Sequence, residues 1–319
     1  MGETTKIEWT STRHADGTVT PGATFNPWIG CTKVSPGCQH CYAEAFAKRY
    51  GKAEWGPQAE RVRTSAAYWQ QPYTWNRKAT AAGKRMKVFC ASLADVFEDN
   101  EQVNGWRAEL WPMMEATNML DWLLLTKRPE NVNDLVPARW RNVGRWPANV
   151  WIGTTVENQD MAYKRIQALV KVPARVRFLS CEPLLGPLDL RFVLNWKDRI
   201  EDEAMLWCEE PIQSVIAGGE SGPKARPMHA DWALSLRDQC VAAGVPFLFK
   251  QWGEWMPASQ LHGLHALETE VAFLMGANYQ CHTFDDGKMT ARLGKHAAGR
   301  ELDGRTWDEY PAVETTVTA

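Results

Sequence analysis

The sequence predicts an α/β fold: a partial (β/α)6 TIM-like barrel of parallel strands with a small C-terminal extension. Three observations predict it. Six runs of strand length are apolar on both faces rather than alternating, the mark of parallel strands covered by helices. Helical periodicity fills the stretches between them, and strand followed by helix, repeated, builds a parallel sheet. Polar and charged residues gather where the runs end more than where they start, as on the C-terminal face of α/β barrels. With 319 residues and 45% hydrophobic content, the chain can bury such a core. Residues 1–255 are expected to form the barrel with its 31–41 loop, and residues 256–319 the extension.

The elements follow in order. Residues 10–24 read as a loop or hairpin, rich in Thr, Gly and Pro. FNPWIG is expected as a first strand, followed by a cysteine-bearing loop. A helix from Tyr42 should then present Tyr42, Ala45, Phe46, Arg49 and Tyr50 on one face. The clear strand runs lie in residues 87–99, 121–129, 149–158, 176–185, 214–222 and 246–254. Between them, Ala162, Ile166, Leu169 and Val170 recur at helical spacing. Ala233, Leu236, Cys240 and Val241 do the same ahead of a terminating Gly244. No GxGxxG follows any strand, which argues against a dinucleotide-binding sheet. Turns are expected at Asp286-Gly287 and Asp303-Gly304 in the extension.

Composition narrows the function. A formal net charge of -2 excludes a global positive field, so any nucleic-acid contact must be local. No apolar run is long enough to cross a bilayer and the start lacks a secretory core, so no membrane partner and a cytoplasmic location are expected, host cytoplasm if phage-encoded. The 17 tryptophans read first as packing residues, with stacking on bases as the sharper alternative. Of the eight cysteines, three crowd into residues 31–41, while Cys90, Cys181, Cys208, Cys240 and Cys281 are scattered, which points to a metal site plus buried thiols.

Cys31, Cys38 and Cys41 have the spacing C-x6-C-x2-C. Three thiolates on one loop can ligate three irons of a [4Fe–4S] cluster and leave the fourth open. An open iron can chelate the methionyl end of S-adenosyl-L-methionine (SAM), whose reductive cleavage yields a 5′-deoxyadenosyl radical. Two alternatives remain: a zinc site completed by His40 or a distant residue, and unliganded thiols.

IEWT, FNPWIGCTKVSPGCQHCYAE, LADVFE, LLTKRP, GTTVEN, SCEPLLGPLDL, GGESGPKARPM and FLFKQWGE, with GKHAAGRELDGRTWDEYP after them, resemble phage and prophage-borne radical SAM-like proteins. The superfamily's commonest loop is C-x3-C-x2-C, and the segment around His14–Gly22 looks inserted between IEWT and FNP. The resemblance implies a radical SAM enzyme acting in thymidine hypermodification. Its implied reaction isomerises a glycyl-modified thymidine in phage DNA from a nitrogen-linked to a carbon-linked attachment. DNA carrying the modified base would be the substrate, and a reductase or flavodoxin-type protein the electron donor.

The residues at the ends of the runs divide into candidate roles. Lys250, Glu220 and Lys127 are candidates for catalysis, with Lys250 able to pair with Glu220. Ser92, Asp95, Glu157, Ser180 and Glu182 are candidates for binding SAM. Arg128, Lys224, Arg226 and Gln251 are candidates for binding substrate, since a glycyl carboxylate needs a cationic clamp. A DNA path is suggested by Lys48, Arg49, Lys52, Arg61, Arg63, Arg77, Lys78, Lys84 and Arg85, interleaved with Trp55, Trp69, Tyr73 and Trp75; a solvated helical face is the plainer reading. Two other functions stay open: a radical SAM enzyme on another nucleoside, RNA or peptide, and a zinc-stabilised nucleic-acid-binding protein without catalysis.

Overall fold

Parallel strands carry the fold: β1 (Ala23–Thr24), β2 (Met86–Cys90), β3 (Leu120–Thr126), β4 (Val150–Thr155), β5 (Arg177–Cys181), β6 (Ser214–Gly218) and β7 (Phe247–Gln251). They belong to one seven-stranded sheet in chain order, which is the expected α/β, partial TIM-like barrel class. The computed structural model describes residues 4–5, 7–14, 16–195, 211–260 and 279–311. By contacts the chain divides into two compact units, Met1–Ser180 and Cys181–Ala319.

In the first unit the register pairs Ala23 with Val88, Cys90 with Leu124, Thr126 with Thr154 and Thr155 with Ser180, all parallel. Every residue of β4 is buried, which explains why these strands read as continuous apolar runs. Three longer helices fill the connections: α2 (Gln71–Ala82), α3 (Asn104–Ala116) and α4 (Gln159–Leu169). Asn158 caps α4 by accepting a hydrogen bond from the Met161 amide, and the helix buries Ala162, Ile166 and Leu169 as their spacing predicts.

Two expectations are corrected here. FNPWIG is not the first strand of the sheet. Ala23–Thr24 takes that place, extended by the Phe25 amide donating to the Phe89 carbonyl at 2.9 Å. Pro27 has no amide proton to give a ladder, and beyond it Trp28–Ile29 pairs antiparallel with Val62–Arg63. The helix from Tyr42, α1 (Tyr42–Arg49), forms as expected with the opposite face inward. It buries Ala43 and Ala47 against Ile29 and Leu93, a close approach that only small side chains allow, and leaves Tyr42, Phe46 and Tyr50 exposed.

Among the fifteen described tryptophans twelve are buried in the core, Trp55, Trp106 and Trp232 are half-buried, and none is exposed. Close packing extends to Gly153 on β4, where an added Cβ would lie 2.4 Å from the Phe178 ring. Gly153→Ala should therefore destabilise the protein by about 1–3 kcal/mol through overpacking. A urea titration should show a lower midpoint at unchanged slope; an unchanged midpoint would contradict this packing.

In the second unit, β6 and β7 pair in parallel with a register irregularity between Ala217 and Gly218. Helix α5 (Ala230–Ala243) buries Ala233, Leu236 and Cys240, while Val241 faces outward, and Gly244 ends the helix in the left-handed conformation. Trp255–Pro257, Met289–Arg292 and Cys281–Thr283 form an antiparallel three-stranded sheet, with the expected turn at Asp286-Gly287 joining the last two. The second expected turn has positive φ at both Asp303 and Gly304. Cys208 and the parts of the extension at 261–278 and 312–319 lie outside the described residues. Among the described residues, no helix is long and apolar enough to cross a membrane.

Candidate metal centre and strand-end site

Three reduced, half-buried cysteines sit on one loop of the first unit. Trp28–Ile29 leads into Gly30, whose amide donates to the Leu93 carbonyl at 3.0 Å. Its φ of 116° is open to glycine, and a Cβ there would press on Arg61 at 2.9 Å. Cys31 follows. Ser35 and Pro36 then start a single 3₁₀ turn, Pro36–Cys38, in which the Cys38 amide donates to the Ser35 carbonyl at 2.9 Å. Cys41 precedes α1, and its carbonyl accepts the Ala45 amide at 3.1 Å.

Arg128, just beyond β3, holds the start of this loop. Its Nη1 donates to Asp95 at 2.9 Å and lies 3.8 Å from the Cys31 sulfur, while Nη2 donates to the Thr32 carbonyl at 2.7 Å. Asp95 is committed on both oxygens: Oδ1 accepts from the Thr126 hydroxyl and the Phe97 amide, and Oδ2 from the Lys127 amide and Arg128. Arg61 secures the same loop from a buried position, donating to both oxygens of Glu98 at 2.8 Å and to the Thr32 hydroxyl at 2.9 Å.

Glu157, just beyond β4, holds the other end. Its Oε1 accepts the Gly37 amide at 3.1 Å and its Oε2 accepts Arg165 at 2.7 Å. A Cβ on Gly37 would lie 3.0 Å from the Glu157 carboxylate carbon, so a side chain there would push the carboxylate back by a few tenths of an ångström. Burial opposes ionisation of Glu157, but Arg165, Ser35, the Gly37 amide and Lys127 outweigh it and keep the carboxyl below its ordinary range. Burial, followed by the charge of Asp95, pushes the Cys31 thiol up to about 12. Thiolate ligation at this position is then accompanied by proton release.

Ser92 and Ser180 also lie at strand ends of this unit. The Ser92 hydroxyl exchanges hydrogen bonds with Asn26 at 3.1–3.2 Å, and its carbonyl accepts the Tyr42 hydroxyl at 2.9 Å. Ser180 is buried and its carbonyl accepts the Val156 amide at 2.9 Å. The structure thus gathers Cys31, Asp95, Lys127 and Arg128 at one end of the loop and sets Glu157 at the other. Sequence reasoning missed Glu98 and Arg165 and assigned Arg61 to the DNA path, whereas all three complete these pairs.

In the second unit, the segments after β6 and β7 are knitted together. The Gly219 amide donates to the Gln251 carbonyl and the Glu254 amide to the Glu220 carbonyl, at 2.9 and 3.0 Å. A Cβ on Gly219 would lie 1.9 Å from the Trp252 carbonyl oxygen and one on Gly253 2.1 Å from that of Glu220, so GGES and KQWGE require these glycines. Lys250 donates to both oxygens of Glu182, at 2.8 and 2.9 Å, and not to Glu220. Gln251 bridges Glu182 and Ser221, both at 3.0 Å. Glu220 instead pairs with Arg226 at 2.6 Å, and Lys224 is exposed.

Four of the nine cations of the expected basic DNA path are paired with acids. Arg61 is buried on Glu98, Arg63 pairs with Glu109, Lys84 with Asp16 and Arg85 with Asp121, while Trp69 and Trp75 are buried. Opposite charges far along the chain neutralise these cations, which inspection of the basic residues alone could not reveal.

Fold and loop together define a protein of the partial TIM-barrel class built around a three-cysteine loop. The chain belongs to the family described as "Protein of unknown function (DUF5131)", whose model matches residues 4–311. No curated protein matches the sequence. Among solved structures, a spore photoproduct lyase variant with bound AdoMet and dinucleoside spore photoproduct is similar over 84% of this chain and 67% of its own, at 11% identity and TM-score 0.40. A second variant of that lyase, with a cysteine replaced by serine, is similar over 86% and 69%, at 12% identity and TM-score 0.41.

Proposed function

We propose that the protein is a radical SAM enzyme whose Cys31, Cys38 and Cys41 hold a [4Fe–4S] cluster. The observation that carries this reading is the loop itself: three reduced thiols within eleven residues, fixed at one end by Arg128 and at the other by Glu157. The donor set fits the group, since Arg128 lies beside the Cys31 sulfur and places a buried cation next to an anionic cluster. When bound, the cluster and SAM supply a 5′-deoxyadenosyl radical that abstracts hydrogen.

The residues around the loop do the positioning. Arg128 and Asp95 set Cys31, and Glu157 with Arg165 fixes the turn that carries Cys38. Ser92 and Ser180 are proposed to contact SAM. Lys127, whose amide is held by Asp95 and whose charge acts on Glu157, is proposed as a further cation.

The proposed reaction is the isomerisation of a glycyl-modified thymidine in DNA, moving the glycine from nitrogen to carbon attachment. Its support is the motif resemblance, together with the anion-binding character of Lys250, Arg226 and Lys224. Lys250 remains about one-fifth exposed beside Glu182, so a substrate carboxylate can exchange with Glu182 for its ammonium. Gln251 keeps Glu182 in place, and Glu220 orients Arg226 through two contacts to its guanidinium. A flavodoxin-type reductase is proposed as the electron donor.

The test is anaerobic reconstitution with iron and sulfide, then reduction with SAM and modified DNA. Wild type should release 5′-deoxyadenosine and convert the nucleoside, followed by mass analysis of the digested DNA. Lys250→Ala should keep deoxyadenosine formation while losing at least about 90% of product, as for loss of a substrate-positioning group. Full product from Lys250→Ala would remove its role, and wild type binding zinc with four protein donors would overturn the enzyme.

A further inference from the structure

The outward face of α1 is the least explained surface of the first unit. Val34, Tyr42, Phe46 and Tyr50 are 46%, 59%, 40% and 55% exposed, and account for four of the eleven large hydrophobic side chains left open among the described residues. The three rings recur every four residues, so they form one row along the helix, spaced about 6 Å apart along its axis. Phe46 and Tyr50 lean on each other with ring centroids 4.7 Å apart, and the Arg49 guanidinium lies 5.7 Å from the Tyr50 ring centre.

The charge is one-sided. Lys33 is paired with Glu44, whereas Lys48, Arg49 and Lys52 are exposed and make no ion pair among the described residues. Arg49 lies at the edge of the ring row, over Tyr50, and Lys52 follows just past the helix, whereas Lys48, two residues from Phe46, faces the other side of the helix. Flat apolar groups with cations beside them match a polymer that carries flat apolar groups beside negative charges. An acidic protein surface would satisfy the cations and leave the rings in water.

We infer that this face docks a single-stranded stretch of DNA, with bases stacked on Phe46 and Tyr50 and phosphates on Arg49 and Lys52. The position gives the docking a purpose. Tyr42 follows Cys41 directly and its hydroxyl is tied to the Ser92 carbonyl, so the row of rings begins at the cysteine loop. A strand opened to expose one base would be held there beside the metal centre. The inference rests on the reading of DNA as substrate.

The test uses the full chain and a fluorescently labelled oligothymidylate, with anisotropy measured across salt concentrations. Phe46→Ala and Tyr50→Ala should each weaken binding about tenfold. Arg49→Gln and Lys52→Gln should each flatten the plot of log affinity against log salt by about 0.7. All four positions are exposed, and unchanged circular dichroism would show that the fold is kept. Binding within twofold of wild type in the Phe46→Ala/Tyr50→Ala double variant would overturn the inference. So would loss of polyglutamate binding with oligonucleotide binding intact, the pattern of an acidic protein partner. Iron content and SAM cleavage without DNA keep the two readings apart: variants that lose only DNA support the docking face, and DNA binding by a protein that holds no cluster sinks the enzyme while supporting this surface.

Discussion

Cys38→Ala is expected to abolish iron–sulfur loading and SAM cleavage together while leaving the protein folded. The cysteine lies on the 3₁₀ turn between the two anchored ends of the loop, and among the described residues its sulfur has the Ser35 hydroxyl, at 3.9 Å, as its hydrogen-bonding neighbour. Its removal therefore disturbs little packing. A cubane held by three thiolates has no spare protein ligand, so the loss should exceed the roughly 10–100-fold that removal of an outer partner costs a metal site. Iron and sulfide per chain, visible absorbance and 5′-deoxyadenosine release after reduction measure it. Wild-type iron and colour in the variant would mean that Cys38 is no ligand.

Glu98→Ala should be the most destabilising single change around the loop, by about 3–5 kcal/mol. The Arg61 side chain is fully buried, and Glu98 is its counter-charge. Without it a guanidinium is left in the interior with only neutral acceptors, among them the Ala59 and Gly56 carbonyls. The Thr32 hydroxyl bonded to Arg61 adjoins Cys31, so the damage should reach the loop and lower iron loading as well. Chemical denaturation reads the first effect and iron content the second. A loss under about 1 kcal/mol, the range of an exposed pair, would refute the account.

These two expectations differ in how far the sequence foretells them. The cysteines stand close together and announce themselves. Arg61 and Glu98 are 37 residues apart, and Arg61 sits among other basic residues that made it look solvated. Strands β2 to β7 were legible because covering both faces of a strand leaves an uninterrupted apolar run. β1 was not, since two residues at an edge leave no periodicity and the neighbouring Trp28–Ile29 run looks more strand-like. The inward face of α1 was inverted for a related reason: hydrophobicity favoured the rings, whereas the space beside Ile29 and Leu93 admits only Ala43 and Ala47. The separate pairing of Lys250 with Glu182 and of Arg226 with Glu220 was equally hidden, because several acidic and basic residues close the strands and sequence does not rank their partners.

The contact between Gly37 and Glu157 also bears on how such loops vary in length. It pins the backbone one residue before Cys38, so extra chain between the first two cysteines must bulge outward, where Lys33 and Val34 already project into solvent. The acid that receives the Gly37 amide thus fixes where Cys38 starts its turn, whatever length of chain leads up to it from Cys31.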